Sequence, residues 1–329
     1  MTIEQISRDL DVSKSTVSRA LSGKGRIGPE TRKRIQEYAA QAGVKAAAQK
    51  QPERKRCLGL VLPVDVYTTN TQFFQECLLG VSEAASLLQY NVMVVAGARN
   101  DVSRIRAMVE NKTVDGFILM RSVEDDLILK YLTEIHFPTA LTGQCGCKEV
   151  IQVDSDNRKA AESLVSLIIG QGYRRFALVV GDMEFEVNEE RRQGFYDAVD
   201  RFGLPREQQL VYPNFTDVEL VDSIISDALI TRAECIVCGD DVICTRMMSR
   251  LLAKRYRIPR DVSVVSLYNS TNLECFSPAV ASVNISAKRM GDMAAKQLIN
   301  CLEGKSYQEK TMLDYEILFR QSAGKDGRI

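Results

Sequence analysis

From Cys57 onward the chain repeats one pattern: a short apolar run, then a helix-length amphipathic stretch, then another apolar run. The first run covers residues 57–62 and stops at Pro63. A helical stretch over 72–89, a strand over 91–96, a helix over 103–111 and a strand over 116–120 follow. The rhythm restarts after Asp156, with helices over 158–170, 188–202 and 218–230 and strands over 175–180, 209–211 and 235–238. Strands alternating with helices build parallel sheets covered by helices on both faces. The restart therefore predicts an α/β body of two Rossmann-like lobes, each of about 120 residues. Two-lobed chains of this kind hold a ligand in the cleft at the carboxyl ends of their strands. A length of 329 residues with 45% apolar side chains accommodates both lobes and a small third piece.

That third piece is amino-terminal. Ile3, Ile6 and Leu10 have helical spacing, and Thr2 is a candidate cap. After a break at Asp11 and Val12, Ser13 caps a second helix over 14–21 with Val17 and Leu21 on one face. A glycine-rich turn leads to Pro29, which suits the first position of a third helix running to about Gln41. Ile35, Tyr38 and Ala39 form its apolar stripe, and Gly43 stops it. Residues 1–56 carry 13 Lys/Arg against 6 Asp/Glu, a net of +7. The remainder carries 30 against 37, so the balanced total of 43 and 43 hides a basic head on an acidic body. Such asymmetry suits a polyanionic partner. Two readings stay open on spacing and charge alone. One is an all-α helix-turn-helix head whose second helix enters the major groove. The other is a small helical cap with a solvated basic face.

Other classes find little support. No apolar run approaches the ~18–20 residues that span a bilayer. Glu4, Asp9 and Asp11 interrupt any signal-peptide core, so a cytoplasmic protein without membrane contact is expected. Cys57, Cys77, Cys244, Cys275 and Cys301 read as buried free thiols. Cys145/Cys147 and Cys235/Cys238 lack the second pair or histidine that a zinc site requires, and Cys235 and Cys238 point to opposite faces of a strand. His136 is the single histidine and sits beside Phe137-Pro138, where it ends a helix or loop. Gly23-Lys24-Gly25-Arg26-Ile27-Gly28 fits a dinucleotide-binding glycine pattern, but it follows a helix rather than a strand. An NAD-dependent α/β oxidoreductase using these glycines is the alternative from the enzyme class. A solute-binding protein without DNA activity is the third candidate. No catalytic residue, metal or cofactor is expected.

The residues decide between the two readings of the head. Val12-Ser13-Lys14-Ser15-Thr16-Val17-Ser18-Arg19-Ala20-Leu21-Ser22-Gly23, followed by Gly28-Pro29-Glu30-Thr31-Arg32, resembles the head of the lactose/galactose repressor (LacI/GalR) family of bacterial transcription factors. The resemblance implies that Lys14, Ser15 and Arg19 read bases, while Thr16 and Ser18 contact phosphates. In the linker this chain has Val44, Ala46 and Ala47 where the family has Tyr and Pro-Asn, and Glu53 near the position of a leucine that wedges into the minor groove. Lys50, Arg54, Lys55 and Arg56 remain to hold phosphates electrostatically, with less bending of the operator.

The body resembles the same family, whose effector domain is similar to periplasmic sugar-binding proteins. Val153-Asp154-Ser155-Asp156-Asn157, Gly172-Tyr173-Arg174-Arg175, Arg191-Arg192-Gln193-Gly194-Phe195, the segment 258–265 and Phe319-Arg320-Gln321-Ser322 carry the likeness. It implies a helix-turn-helix domain over 1–44, a linker over 45–56 and an effector-binding and dimerisation domain over 57–329. The first lobe is then about 57–157 with 284–318, and the second 158–283 with 319–329. Phe73 and Phe74 fall where the family stacks an aromatic on a sugar, and helical geometry directs one of the two to the cleft. Arg191 aligns with a ligand-gripping arginine. Asp240 stands where asparagine is usual, next to Asp241, and Tyr268 where an aspartate is usual. These departures point from an ordinary hexose toward another polyol, a sugar acid or another small metabolite. The implied function is a repressor-type regulator that binds a pseudo-palindromic DNA operator as a homodimer under effector control. The tail from Ala323 has no leucine heptad, which favours a dimer over a tetramer.

Overall fold

The computed structural model describes residues 3–22, 27–41, 55–63, 71–97, 101–123, 125–217 and 219–324. The chain forms two compact units, Met1–Lys55 and Arg56–Ile329. The head consists of α1 (Ile3–Asp9), α2 (Lys14–Ser22) and α3 (Pro29–Gln41). Asp11 takes a left-handed conformation at φ 51°, which turns α1 into α2 over a few residues. Ser13 caps α2, its Oγ accepting the Thr16 backbone N–H at 3.2 Å. Ile6, Val17, Ala20, Ile35 and Ala39 are buried together, with Leu10, Val12, Leu21, Ile27 and Tyr38 packed around them. Polar pins reinforce this small core. Arg34 donates to the Leu10 carbonyl (3.0 Å), Gln36 to the Ala20 carbonyl (3.2 Å) and the Tyr38 hydroxyl to Asp9 (2.9 Å).

The body holds two six-stranded sheets. The first contains β1 (Cys57–Pro63), β2 (Asn91–Gly97), β3 (Gly116–Leu119), β4 (Thr139–Thr142), β5 (Ile151–Ser155) and β11 (Lys310–Leu313). Their spatial order is β11-β5-β4-β3-β1-β2, and every pair is parallel. The second contains β6 (Phe176–Val179), β7 (Leu210–Tyr212), β8 (Cys235–Cys238), β9 (Ser263–Ser266), β10 (Ala281–Asn284) and β12 (Glu316–Leu318), in the order β12-β10-β9-β8-β6-β7. It is parallel except for β12, which runs antiparallel to β10. Covering helices are α4 (Gln72–Leu87), α5 (Ser103–Glu110), α6 (Leu127–Glu134), α7 (Asn157–Gly170), α8 (Glu186–Arg201), α9 (Leu220–Ile230), α10 (Asp241–Ala253), α11 (Thr271–Glu274) and α12 (Ala287–Leu302). The expectation of an α/β body with two parallel-sheet lobes and a helical head is met.

The chain passes between the sheets at Asp156, at 285–286 and at 314–315. Side chains at the first two passages start new helices. Asp156 accepts the Lys159 N–H at 2.9 Å, and Ser286 accepts the Arg289 N–H at 3.3 Å. The third passage precedes the expected one near Phe319. The expected boundary puts residues 316–318 in the first lobe, yet Val283 pairs with Ile317 and Ser282 with Leu318 in the second sheet. A three-residue Glu-Ile-Leu strand carries no periodicity by which to place it. In each lobe the helix after a crossing packs closely on a neighbour through glycine. A Cβ on Gly80 of α4 would lie 1.9 Å from the Lys288 carbonyl oxygen of α12, and one on Gly194 of α8 would lie 2.0 Å from the Arg158 oxygen of α7. Only a residue without a side chain permits that approach.

The cysteines are free, as read from sequence, and Cys235 and Cys238 join different cores on opposite sides of β8. Two of the five expected to be buried are not: Cys275 is exposed, because it caps the four-residue α11 at the surface, and Cys301 near the end of α12 is half-buried.

The head core is small and shares no residue with the body cores. Ile35→Ala should cost ~2–4 kcal/mol in the head. Calorimetry should show the head melting at lower temperature while the transition of the body stays in place.

Candidate DNA-reading face and effector cleft

On α2 the buried residues are Val17 and Ala20, which turns the opposite face outward. Lys14, Ser15, Ser18 and Arg19 are exposed there, and Thr16 is half-buried. The Ser13 hydroxyl lies 2.8 Å from those of both Ser15 and Thr16, a hydroxyl cluster at the amino end of the helix. Backbone N–H groups and hydroxyls at a helix start suit phosphate oxygens. Lys14 donates to Glu4 at 2.6 Å, and this ion pair holds the Glu4 carboxyl below its usual range. Lys50, Arg54 and the residues of the proposed hinge lie outside the described residues. Lys55 and Arg56 are exposed. Arg56 belongs to the body: its carbonyl accepts from Asn91 at 2.7 Å and its guanidinium donates to Gln89 at 3.0 Å. The glycine pattern of 23–28 lies between α2 and α3, not after a strand.

The cleft lies where the carboxyl ends of the two sheets face each other. The space within it, open to solvent at the mouth, amounts to about 930 Å³. From the first lobe, Phe73 and Phe74 enter at the start of α4, Met120, Arg121 and Ser122 follow β3, and Asp154 lies one residue before the end of β5. From the second lobe, Phe185, Asn188, Glu190 and Arg191 come from the start of α8, Asp240 and Asp241 follow β8, and Tyr268 follows β9. All five effector positions expected from sequence therefore line one cavity, two from the first lobe and three from the second. Both phenylalanines reach it, not one. They sit in the first turn of α4, which opens onto the cavity, and their rings meet edge to face at 5.3 Å. Phe73 also meets Tyr268 across the lobes at 5.9 Å.

Polar groups bridge the two sides as well. The Ser122 hydroxyl lies 2.7 Å from Glu186 and 2.5 Å from the Gln144 carbonyl. Gln144 donates to Glu190 at 3.2 Å and accepts from Lys310 at 2.7 Å. The Gln72 side-chain oxygen accepts from the Thr271 N–H at 2.9 Å.

Sequence reasoning missed the carboxylates Asp154, Glu186 and Glu190 as cleft residues. An acid ending an otherwise buried strand, and two acids four apart on α8, were the available signals. Burial, then the charge of Glu186, pushes the Asp154 carboxyl up to about 6, against the pull of Arg191. Burial, then Asp154 and Glu186, pushes Glu190 up to about 7. Burial and then Asp240 push Asp241 up to about 7. Asp240 caps α10, accepting the Ile243 N–H at 2.9 Å. Burial also raises the Tyr268 phenol, which stays neutral at working pH.

Among the described residues no cluster of His, Cys, Asp and Glu is arranged to hold a metal ion, and no helix is long and apolar enough to cross a membrane.

A raised carboxyl stabilises the folded state most below its unfolded pKa, and the contribution is lost as pH climbs through the folded value. For Asp241 that loss amounts to about 1–2 kcal/mol between about pH 5.5 and about pH 7.5. Denaturant titrations of the protein should show stability falling over this window, and Asp241→Asn should flatten the slope.

Comparison with known proteins agrees with this architecture. Residues 2–44 match the family of bacterial regulatory proteins of the lacI type, and residues 165–323 match the periplasmic binding protein-like domain. The HTH-type transcriptional regulator RegA of Clostridium saccharobutylicum is 25% identical over 333 residues, covering 98% of both chains. The HTH-type transcriptional regulator CelR of Thermobifida fusca is 27% identical over 338 residues, again covering 98% of both. Among solved structures, a complex of the transcriptional regulator CelR with cellobiose superposes with a TM-score of 0.73 at 25% identity, over 98% of this chain and 99% of that one. The transcription regulator CcpA of Lactococcus lactis gives 0.71 at 26% identity, over 81% and 98%. The basic helix-turn-helix head, the two parallel-sheet lobes and the cleft between them are thus those of a DNA-binding transcriptional regulator, and the chain belongs to the LacI family.

Proposed function

We propose that the protein is a repressor that docks as a homodimer on a pseudo-palindromic operator and is controlled by a small polar metabolite in the cleft. The observation that carries this reading is the sidedness of α2. Val17 and Ala20 anchor it, while Lys14, Ser15, Ser18 and Arg19 form one uncovered row. Arg19 has the reach and fork geometry for a guanine edge, and the hydroxyls allow close approach to phosphates. Two such helices, one from each copy, suit successive major grooves.

A second copy of the chain also fits the surface of the first lobe. Leu79 and Leu87 on α4 and Met93 and Val94 on β2 are exposed, Leu87 by 78%. β2 is a terminal strand of its sheet. An exposed apolar patch beside an open sheet edge supports an isologous dimer contact. The cleft draws its wall from both lobes, so a ligand with different affinity for two lobe arrangements would shift their populations. No catalytic role is assigned to any residue.

Arg19→Ala should lower specific operator affinity by at least about tenfold and leave the melting temperature unchanged, since it removes base contacts and no buried area. Equal affinity of the unmodified protein for operator and scrambled duplex in gel shifts would overturn the reading of α2. Arg191→Ala should abolish the effector response while operator binding persists. Leu87→Asp should convert the dimer to a monomer in analytical ultracentrifugation and weaken operator binding with it.

A further inference from the structure

The charge of the cleft specifies its ligand beyond the polar metabolite proposed above. Five carboxylates line the cavity, Asp154, Glu186, Glu190, Asp240 and Asp241, against the guanidiniums of Arg121 and Arg191. The Arg121 guanidinium lies over the Phe185 ring at 4.6 Å. Arg191 is buried beside Asp154 and offsets that carboxylate. Acidic groups outnumber guanidiniums in the wall by five to two, and burial keeps Glu190 and Asp241 only partly ionised near neutral pH. A uronate or phosphate would bring further negative charge into this low-dielectric space, where like charges repel most strongly.

Asp241 is the most demanding of the five. It is 2% exposed; Ser270 and the Gln72 backbone N–H hydrogen-bond to the carboxylate, but its Oδ1 has no hydrogen-bond partner. Its neighbour Asp240 is already served by the Ile243 N–H. The amino end of α10 presents about half a positive charge, too little for two carboxylates. Beside Asp241 stand Tyr268, whose phenol feels its charge, and Phe73, whose ring meets that of Tyr268. A carboxylate with one buried oxygen unpaired next to aromatic faces matches an ammonium group, which pairs with that oxygen and is attracted by the rings. Aromatic walls and the amides of Asn188 and Gln144 suit the rest of a hydroxylated ligand.

We infer that the effector is a polyol bearing a protonated amine, with the ammonium seated against Asp241 and the aromatic pair Phe73–Tyr268. The inference rests on the reading of the cleft as the effector site. It replaces the sugar acid considered from sequence, because the wall supplies acids where an acid ligand needs bases.

The test uses the full-length protein, calorimetric titration and thermal shift near neutral pH. Glucosamine and galactosamine are the amine probes, glucose and N-acetylglucosamine their neutral counterparts, and glucuronate the anion. The amines should bind and raise the melting temperature at concentrations where the other three do not. Asp241→Asn, which keeps side-chain volume, should weaken amine binding by about tenfold or more, the effect of one lost charge-assisted pair. Glu190→Gln, whose fold is checked by circular dichroism, should weaken it less. Neutral sugars or glucuronate binding as tightly as the amines, or no binding of either amine, overturns the proposal. If a neutral sugar is preferred and its binding is lost in Phe73→Ala, the amine falls and the cleft reading stands. Amine binding untouched by both Asp241→Asn and Phe73→Ala overturns the two together.

Discussion

Parallel pairing governs this molecule. A parallel strand reaches its neighbour only through a crossover segment, so all strands of one sheet end on the same side. Every carboxyl-terminal loop of that sheet is then delivered to one edge. Because the chain crosses three times between its two sheets, those edges are set against each other and the loops become two walls of one cavity. Phe73, Asp154, Arg191, Asp240 and Tyr268, spread over nearly two hundred positions, meet for that reason alone. Desolvation at this meeting place then raises the carboxyls of Asp154, Glu190 and Asp241, so the chemistry of the cleft is a product of the topology.

The two ends of the function have opposite electrostatics. The head is basic and presents Lys14 and Arg19 on a face set by two small apolar residues. The cleft is lined by more acids than bases. A polyanion is attracted to the first, and a cation or hydroxyl-rich molecule to the second. Lys14 is held by Glu4 in the free head, so an operator phosphate competes with a carboxylate for that lysine.

Coupling between the lobes has a physical basis in the seams around the crossings. Glycine notches let α4 meet α12 and α7 meet α8 at backbone distance, so each lobe is stiff next to its crossing points. Closely packed helices beside three short passages are the places where a change in lobe arrangement would have to be accommodated. The bridges at the mouth are one hydrogen bond from Ser122 to Glu186 and two from Thr271, its N–H and its hydroxyl, to the Gln72 side-chain oxygen. Individually they are modest in strength, and a ligand competes with them on similar terms.

The amino-acid order alone specified the three-helix head, the outward row on α2 and the repeated strand-helix rhythm, because each rests on local periodicity and capping. The named cleft positions came from motif likeness, and the structure gathers them around one cavity. What only the tertiary structure decided depends on neighbours distant in the chain. The strand at 316–318 is too short to announce its sheet, and its antiparallel pairing with β10 places it. Phe73 and Phe74 both face the cavity because the first turn of α4 lies at its rim. Asp154, Glu186 and Glu190 read as ordinary acids until folding removes their water and brings them together. A carboxylate in sequence is only a charge; its partners and its solvent are properties of the fold.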